Sequence, residues 1–464
     1  MLRDYQIEGA KFLLAHHNAL LADDMGLGKT ATLLLAAKAA SVQKMVVVCP
    51  AVVCSHWMRE VEKWWPEADP RRIRGIKPTA PGINLFTGTP TITILNYDIL
   101  TAHMKGLIGL KPDCLVLDES HYVKSKTAKR TKAALDLARN VQLRGGYVWL
   151  ASGTPMPSRP VELIEQLRIL NALKEFGGWE RYVTRYCEGH QERIWLRGRN
   201  YKMVWKLDGS SHSEELTRLL KQNVMIRRLR SEAMPGITVL PPIVEPVDCS
   251  NETMRVYWTA ERDIASFVAM NPDNAGMALV KLSILRRLIG EAKRFSVADW
   301  IEERVSGGEG GLVVFGHHVE SLEWLAHNTV VSSVMIHGQV NDRKREEAIA
   351  LFRTGDIPVL FATTPAAGIG IDLTPCHDVM FYELEWTSAA MRQAIDRCAR
   401  HGAIAPISVT YLMAPGTVDQ EMACHVAATA SQVDAVMESN DVAQVAIAHL
   451  LRRARTGEQL RMEV

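Results

Sequence analysis

The stretch ADDMGLGKT, Ala22–Thr30, decides how the rest of the chain is read. It follows an apolar stretch and opens the helical run ATLLLAAKAA. Glycine lets backbone N–H groups approach phosphate oxygens, and the start of a helix adds a favourable dipole. In that reading Asp24, Met25, Gly26, Leu27 and Gly28 form the cradle, Lys29 neutralises the β- and γ-phosphates of ATP, and Thr30 offers its hydroxyl to Mg2+. The full GxxxxGK[ST] pattern would place glycine where this chain has Asp23. Taken alone, the stretch is also compatible with a plain Gly-rich turn from strand to helix.

About ninety residues on, LVLDESH (Leu115–His121) is a hydrophobic strand ending in two carboxylates. Ligand sites of α/β domains lie at that edge of the sheet. Asp118 would hold Mg2+, and Glu119 would orient and deprotonate the attacking water. An acidic pair after a strand is common, but joined to GLGKT its meaning narrows to nucleotide hydrolysis. LASGTPMPSRP (Leu150–Pro160) adds a polar turn, Ser152, Gly153 and Thr154, after another strand. At the start of the chain, LRDYQIEGAKFLL carries Gln6, whose amide has the donor and acceptor an adenine edge needs, with Tyr5 or Arg3 able to flank the base.

Short apolar runs alternate with amphipathic helical stretches, the pattern of parallel-sheet α/β domains. Strands are expected near Met45–Cys49, Ile92–Leu95, Cys114–Leu117 and Tyr147–Ala151. A second set falls near Leu312–Phe315, Ser333–Ile336, Val359–Ala362, Val379–Tyr382 and Ser408–Leu412. Between the sets the chain reads mostly as helix, for example Glu214–Gln222 and Ala278–Lys293, and is broken by LPPIVEP (Leu240–Pro246) and by SGGEGG (Ser306–Gly311). The expected division is an α/β lobe over 1–157, a helical insertion and linker over 158–306, and a second α/β lobe with C-terminal helices over 307–464.

In the second lobe, TSAAMRQAIDRCARHG (Thr387–Gly402) reads as a helix with Gln393, Arg397 and Arg400 on one face. Two planar guanidiniums there suit a transferring γ-phosphate, and Asp396 can brace them. A solvated charged face is the common fate of such runs, but Ala, Ile and Cys surround these arginines. FATTPAAGIGIDLT (Phe361–Thr374) is rich in small residues that permit close backbone approach to a phosphate or ribose. Gly368 and Gly370 belong to that approach, and Asp372 can accept from a ribose hydroxyl. His317 and His318 receive no ligand role.

Composition sets outer limits. The chain has 464 residues, 47% apolar and 23% charged, the balance of an ordinary soluble globular protein. A net charge of +2 announces no basic tail, so any nucleic-acid groove must come from local clustering of Lys and Arg. The eight cysteines include no CxxC pair, which argues against a zinc site and for buried reduced thiols. No apolar run reaches the roughly 20 residues a bilayer span needs.

These blocks, in this order, resemble the superfamily 2 helicase motifs, and most closely the Snf2-family ATPases. DDMGLGKT, CPAVVCSHWMREVEKW (Cys49–Trp64), DESHYVKS, LASGTPMPSRPVEL and VMIRRLRSE (Val224–Glu232) carry the resemblance in the first part. IHGQVNDRKREEAIALF, ATTPAAGIGIDLT and QAIDRCARHG carry it in the second. RYCEGH followed by GSSHSEEL (Gly209–Leu216), and ELEWTSAAMRQAIDR with Trp386, resemble the distant branch of annealing helicases.

The resemblance implies two RecA-like lobes with parallel sheets and a helical Snf2-type insertion. It implies the adenine role for Gln6, the catalytic roles for Lys29, Thr30, Asp118, Glu119, Arg397 and Arg400, and DNA-tracking contacts around Ser55–Trp57, Asn96–Tyr97, Lys124–Ser125, His337–Gly338 and Thr363–Thr364. The family's last motif ends in IGQ, where this chain has His401, Gly402 and Ala403.

The expected activity is an ATP-dependent double-stranded DNA translocase that remodels or reanneals DNA. ATP and Mg2+ would bind the first lobe, and the second would close to deliver its arginines. A strand-separating DNA or RNA helicase is the alternative, and a binding scaffold with vestigial ATPase motifs a third. The expected partner is double-stranded or forked DNA held by its phosphate backbone, with a recruiting protein. The chain is expected to work as a monomer, in the bacterial nucleoid or a phage-infected cell, or in the nucleus if eukaryotic. Because it begins at the Gln motif, it is expected to be a stand-alone core.

Overall fold

The apolar runs without alternation become strands buried on both faces, as parallel sheets require. In chain order they are β1 (Asn18–Leu21), β2 (Lys44–Cys49), β3 (Asp69–Arg72), β4 (Thr91–Asn96), β5 (Cys114–Asp118) and β6 (Tyr147–Ala151). Val46–Cys49 and Cys114–Leu117 are at most 1% exposed. The computed structural model describes residues 2–75, 89–153, 155–156, 159–195, 201–207, 209–234, 239–270, 275–307, 311–367, 371–374, 376–385, 388–399 and 406–430. Contacts divide it into two compact units, one built on Met1–Pro235 and the other on Gly236–Ala435.

The block read as one insertion, 158–306, is therefore shared between the units. Its first part is also less helical than its sequence suggests. It holds an antiparallel ribbon of β7 (His190–Trp195) and β8 (Tyr201–Lys206), and then β9 (Met225–Ile226). Two residues are too few for any periodicity to register, and β9 exists because the chain returns to the sheet edge. It pairs in parallel with β1, and the ladder runs on: the N–H groups of Leu20, Ala22 and Asp24 donate to the carbonyls of Val224, Ile226 and Arg228 at 2.7, 2.8 and 3.0 Å. The first sheet is parallel throughout, in the order β3-β4-β2-β5-β6-β1-β9.

The second unit contains β10 (Ile243–Pro246), β11 (Leu312–Gly316), β12 (Ser333–Ile336), β13 (Val359–Thr363), β14 (Asp378–Phe381) and β15 (Ser408–Met413). They form a second parallel sheet in the order β10-β15-β14-β11-β13-β12. The break LPPIVEP supplies β10, at the sheet edge, where proline costs no ladder bond that the sheet needs. The helix expected over Ala278–Lys293 runs on from Ala275 to Gly307. Lys293, the last residue of the expected helix, is fully buried, its ammonium donating to the Leu412 carbonyl and to Asp419 Oδ2, both at 2.7 Å.

All nine strands read from the sequence are present, each within one residue of the expected ends. Among the described residues, no helix is long and apolar enough to cross a membrane. Of the eight cysteines, six are buried, Cys249 is partly exposed and Cys424 is exposed.

Candidate functional site

Three chemistry-bearing segments leave the first sheet from neighbouring strands at one level. Leu21 of β1 and Asp118 of β5 both lie opposite Ala151 of β6. The glycine-rich loop, the acidic pair and the Ser152 turn thus start side by side at the carboxyl edge of β5, β6 and β1.

The loop after β1 turns through Gly26 and Gly28, at φ +80° and +72°, before the helix Lys29–Ala39. The backbone conformation favours glycine at position 28. Its φ is left-handed, and a Cβ there would lie 2.4 Å from Gln6 Nε2. Gln6 is buried and its amide is used at both ends: Oε1 accepts from the Arg3 N–H at 3.0 Å, and Nε2 donates to the Leu27 carbonyl at 3.3 Å. It latches the first helix onto the loop. Lys29 folds back over the loop, donating to the carbonyls of Asp23 and Asp24 at 2.9 and 3.3 Å. Thr30 is half-buried in the first helical turn, whereas Met25 and Leu27 are buried, so their contribution to a phosphate cradle is limited to backbone.

Asp23 explains the departure from the glycine pattern. Its side chain is fully buried and accepts from the Arg228 backbone N–H at 3.1 Å and from Arg228 Nε at 2.9 Å. Arg228 also donates to the Tyr5 carbonyl. Next to it, Arg227 donates to the Ala22 carbonyl at 2.8 Å, to the Gly153 carbonyl at 3.2 Å and to Asp24 Oδ1 at 3.0 Å. The paired arginines of VMIRRLRSE thus clamp the root of the loop from about 200 residues downstream. Sequence reading assigned these arginines no role. The signal present was an anomalous carboxylate in one motif and an unexplained arginine pair in another.

At the end of β5, Asp118 is buried. Oδ2 accepts from the Trp57 indole N–H at 2.8 Å, Oδ1 accepts from the Glu119 N–H at 3.0 Å, and the Asp118 carbonyl accepts from the Tyr97 hydroxyl at 2.8 Å. Burial raises its pKa, and the Glu119 charge raises it further; Trp57 and Lys29 oppose them. Glu119 sits at φ +52°, ψ +55°, a left-handed conformation that costs a non-glycine residue on the order of 1 kcal/mol or more. Glu119 Oε2 accepts from Ser152 Oγ at 3.4 Å and lies 3.4 Å from His121 Nδ1. Burial, and secondarily Lys124, lowers the His121 pKa to about 4, so the imidazole beside Glu119 is neutral at physiological pH. Two carboxylates and a hydroxyl are hard oxygen donors and fit Mg2+. Thr30 and Asp118 would hold it.

The DNA-tracking expectations fare unevenly. Trp57 and Tyr97 are buried beneath Asp118, Trp57 bonded to its carboxylate and Tyr97 to its main-chain carbonyl, so neither side chain lies at the surface. Ser55 Oγ accepts from Arg72 at 2.7 Å, Asn96 Oδ1 caps the N–H groups of Asp98 and Ile99, and exposed Lys124 pairs with Glu162 at 2.7 Å. In the second unit Thr363 and Thr364 are buried, with the Thr364 hydroxyl donating to the Gly316 carbonyl at 3.4 Å, and they too are withdrawn from a backbone-tracking surface. His337 and Gly338 follow β12, His337 half-buried and Gly338 exposed.

Asp372 already accepts from the N–H and hydroxyl of Thr374, at 3.1 and 2.7 Å. Gln393 and Arg397 lie on the helix Ser388–Cys398, Arg397 buried, and the Arg397 carbonyl accepts the Leu373 N–H at 3.0 Å. Gly368, Gly370, Trp386 and Arg400 lie outside the described residues, as does Thr154. The paired histidines given no role bind carboxylates, His317 to Glu385 at 3.0 Å and His318 to Glu383 at 2.7 Å.

Arg228→Ala would strand the buried Asp23 carboxylate and should cost the first unit about 3–5 kcal/mol in a denaturant titration. A loss no larger than that of a surface pair, about 1 kcal/mol, would contradict the clamp. The His121 shift also has a sign. Between its folded value of about 4 and its ordinary 6.5, the unfolded chain binds a proton that the folded one does not, so stability falls as pH drops through that window. An NMR titration of the imidazole checks this, and a midpoint near 6.5 would refute it.

Two family models match the chain in succession, and the first extends past the boundary between the two compact units. The SNF2-related domain matches residues 5–289, and the helicase conserved C-terminal domain matches residues 297–402. Human "DNA annealing helicase and endonuclease ZRANB3" is 30% identical over 437 residues, which cover 91% of this chain and 39% of that protein. The "SWI/SNF-related matrix-associated actin-dependent regulator of chromatin subfamily A-like protein 1" of Xenopus tropicalis is 29% identical over 435 residues, covering 90% and 43%. The chain thus spans about two fifths of the length of these curated relatives. Among solved structures, the "Sulfolobus solfataricus SWI2/SNF2 ATPase core in complex with dsDNA" is 20% identical, with a TM-score of 0.43 over 98% of this chain and 97% of that one. The SNF2-related match alone takes in more than half of the sequence, and the chain belongs to the SNF2 family, with a helicase C-terminal domain following the SNF2-related one.

Proposed function

We propose that this chain hydrolyses ATP in its first lobe and couples hydrolysis to movement along double-stranded DNA, remodelling or reannealing it. The observation that carries the reading is the convergence of Lys29, the Asp118–Glu119 pair and the Ser152 turn at one edge of three adjacent strands. Kinship with proteins named as DNA annealing helicases supports the choice of DNA and of reannealing.

In this mechanism Lys29 leaves the loop carbonyls for the β- and γ-phosphates, whose charge attracts it more strongly than a neutral carbonyl. Thr30 and Asp118 would hold Mg2+, which when bound would neutralise charge on the transferring phosphoryl group. Glu119 takes the proton of the attacking water at its carboxylate, with Ser152 and neutral His121 fixing its orientation. Gln6 senses the adenine edge while bonded to the loop. Gln393, Arg397 and Arg400 are assigned to the charge that develops on the γ-phosphate. DNA is gripped through its phosphates, so sequence preference is low and affinity falls steeply with salt. The motor acts as a monomer, brought to forked or double-stranded DNA by a recruiting protein, in whichever compartment holds that DNA.

Stimulation of ATP hydrolysis by duplex DNA, single-stranded DNA and RNA should be compared, with a forked substrate scored for unwinding. Duplex preference without unwinding is expected. Single-strand stimulation with unwinding would instead favour a strand-separating helicase on DNA or RNA. Lys29→Ala should abolish turnover. Arg400→Ala should lower kcat by about 10³-fold while ATP binding persists; normal turnover with lost nucleotide affinity would contradict the assignment.

A further inference from the structure

The ribbon of β7 and β8 stands apart from both parallel sheets. Its register pairs His190 with Lys206, Arg193 with Met203 and Trp195 with Tyr201. His190, Gln191, Glu192 and Arg193 are exposed on one strand, and Tyr201, Lys202, Met203 and Lys206 on the other. Tyr201 is 50% and Met203 42% exposed, large apolar groups left in water. A two-stranded ribbon is marginal on its own, so something must hold it.

That support is at its root. Trp205 packs edge-on against Trp179 at 5.1 Å. The N–H groups of Gly189 and Gly209 donate to the carbonyls of Val183 and Cys187, at 2.9 and 3.2 Å, and the Ser211 N–H donates to Tyr186 at 3.0 Å. Gly189 passes so close that a Cβ would lie 2.8 Å from the Val183 carbonyl oxygen. Arg185 and Tyr186 both bind Glu215. The blocks RYCEGH and GSSHSEEL are therefore the socket of the ribbon, and their spacing makes room for it.

The charges identify the occupant. Arg193, Lys202 and Lys206 against Glu192 leave +2 on twelve residues, as much as the whole chain carries. Glu192 is matched by Lys206 at 3.1 Å, so the surplus rests on Arg193 and Lys202. Strand alternation puts these two on opposite faces, because Lys202 lies across from Ile194, one position on from Arg193. The Arg193 guanidinium is steadied 5.1 Å over the Tyr201 ring. A two-stranded ribbon fits the major groove of B-form DNA, and entering it edge-on would set one cation against each phosphate wall.

We infer that this ribbon is a duplex-DNA contact of the first unit, apart from the ATP site, with Arg193 and Lys202 on the phosphates of a major groove. The inference rests on the proposed duplex substrate. It is tested with the full chain by anisotropy of a labelled random-sequence duplex over a range of salt. R193Q/K202Q should weaken binding roughly tenfold or more near physiological salt and flatten the slope of log K against log salt by about 1.8, at 0.9 per lost phosphate contact. R193K/K202R should keep the wild-type slope, and ATP hydrolysis without DNA should be unchanged in both variants. A wild-type slope and affinity in R193Q/K202Q would overturn the ribbon contact and leave its open edge to a protein strand, while duplex-stimulated hydrolysis would still stand. An equal loss in R193K/K202R would overturn the electrostatic contact. If the wild-type chain neither binds duplex nor is stimulated by it, the proposed function fails, and the ribbon contact with it.

Discussion

In an all-parallel sheet every strand points the same way, so every strand exit falls on one edge. That constraint gathers residues from three separate parts of the chain into one place. β5, β6 and β1 are hydrogen-bonded neighbours in register, so the phosphate loop, the acidic pair and the Ser152 turn leave the ladder at the same height. No side-chain contact is needed to bring them together. The backbone ladder does it, and the buried Val, Leu and Ile side chains keep the ladder dry.

What the ladder cannot do is hold charge in the right state. Four carboxylates lie at or just behind that edge, and each has a dedicated partner. Asp23 has Arg228, Asp24 has Arg227, Asp118 has the Trp57 indole, and Glu119 has Ser152. Buried carboxylates without donors would protonate or destabilise the fold. The consequence is mechanical as well as electrostatic. Because Arg227 and Arg228 follow β9, the VMIRRLRSE segment is tied to the glycine-rich loop through both a strand ladder and ion pairs. Because Trp57 bonds the Asp118 carboxylate and Tyr97 its main-chain carbonyl, the segments after β2 and β4 bear on the same residue.

The blocks RYCEGH and GSSHSEEL have a local explanation too. They do not reach the nucleotide edge. They close a tight, glycine-dependent crossing that anchors an exposed ribbon, and the Arg185–Glu215 pair stiffens it. Motif spacing in a sequence therefore records two kinds of demand here, chemistry at a sheet edge and support for a projecting element.

The sequence alone determined the α/β class and nine of the strands, and it singled out the glycine-rich loop and the acidic pair that the sheet brings to one edge. Those features are local: a buried parallel strand is a continuous apolar run, and a phosphate loop is a run of glycines before a helix. Tertiary structure decided what depends on distant pairing. It made a two-residue strand of Met225–Ile226 and an edge strand of a proline-rich break, buried Lys293 within a longer helix, and matched Asp23 to Arg228 across 205 positions. It also withdrew Trp57, Tyr97, Thr363 and Thr364 from the surface, because burial is set by what packs over a residue, and neighbouring sequence does not encode it.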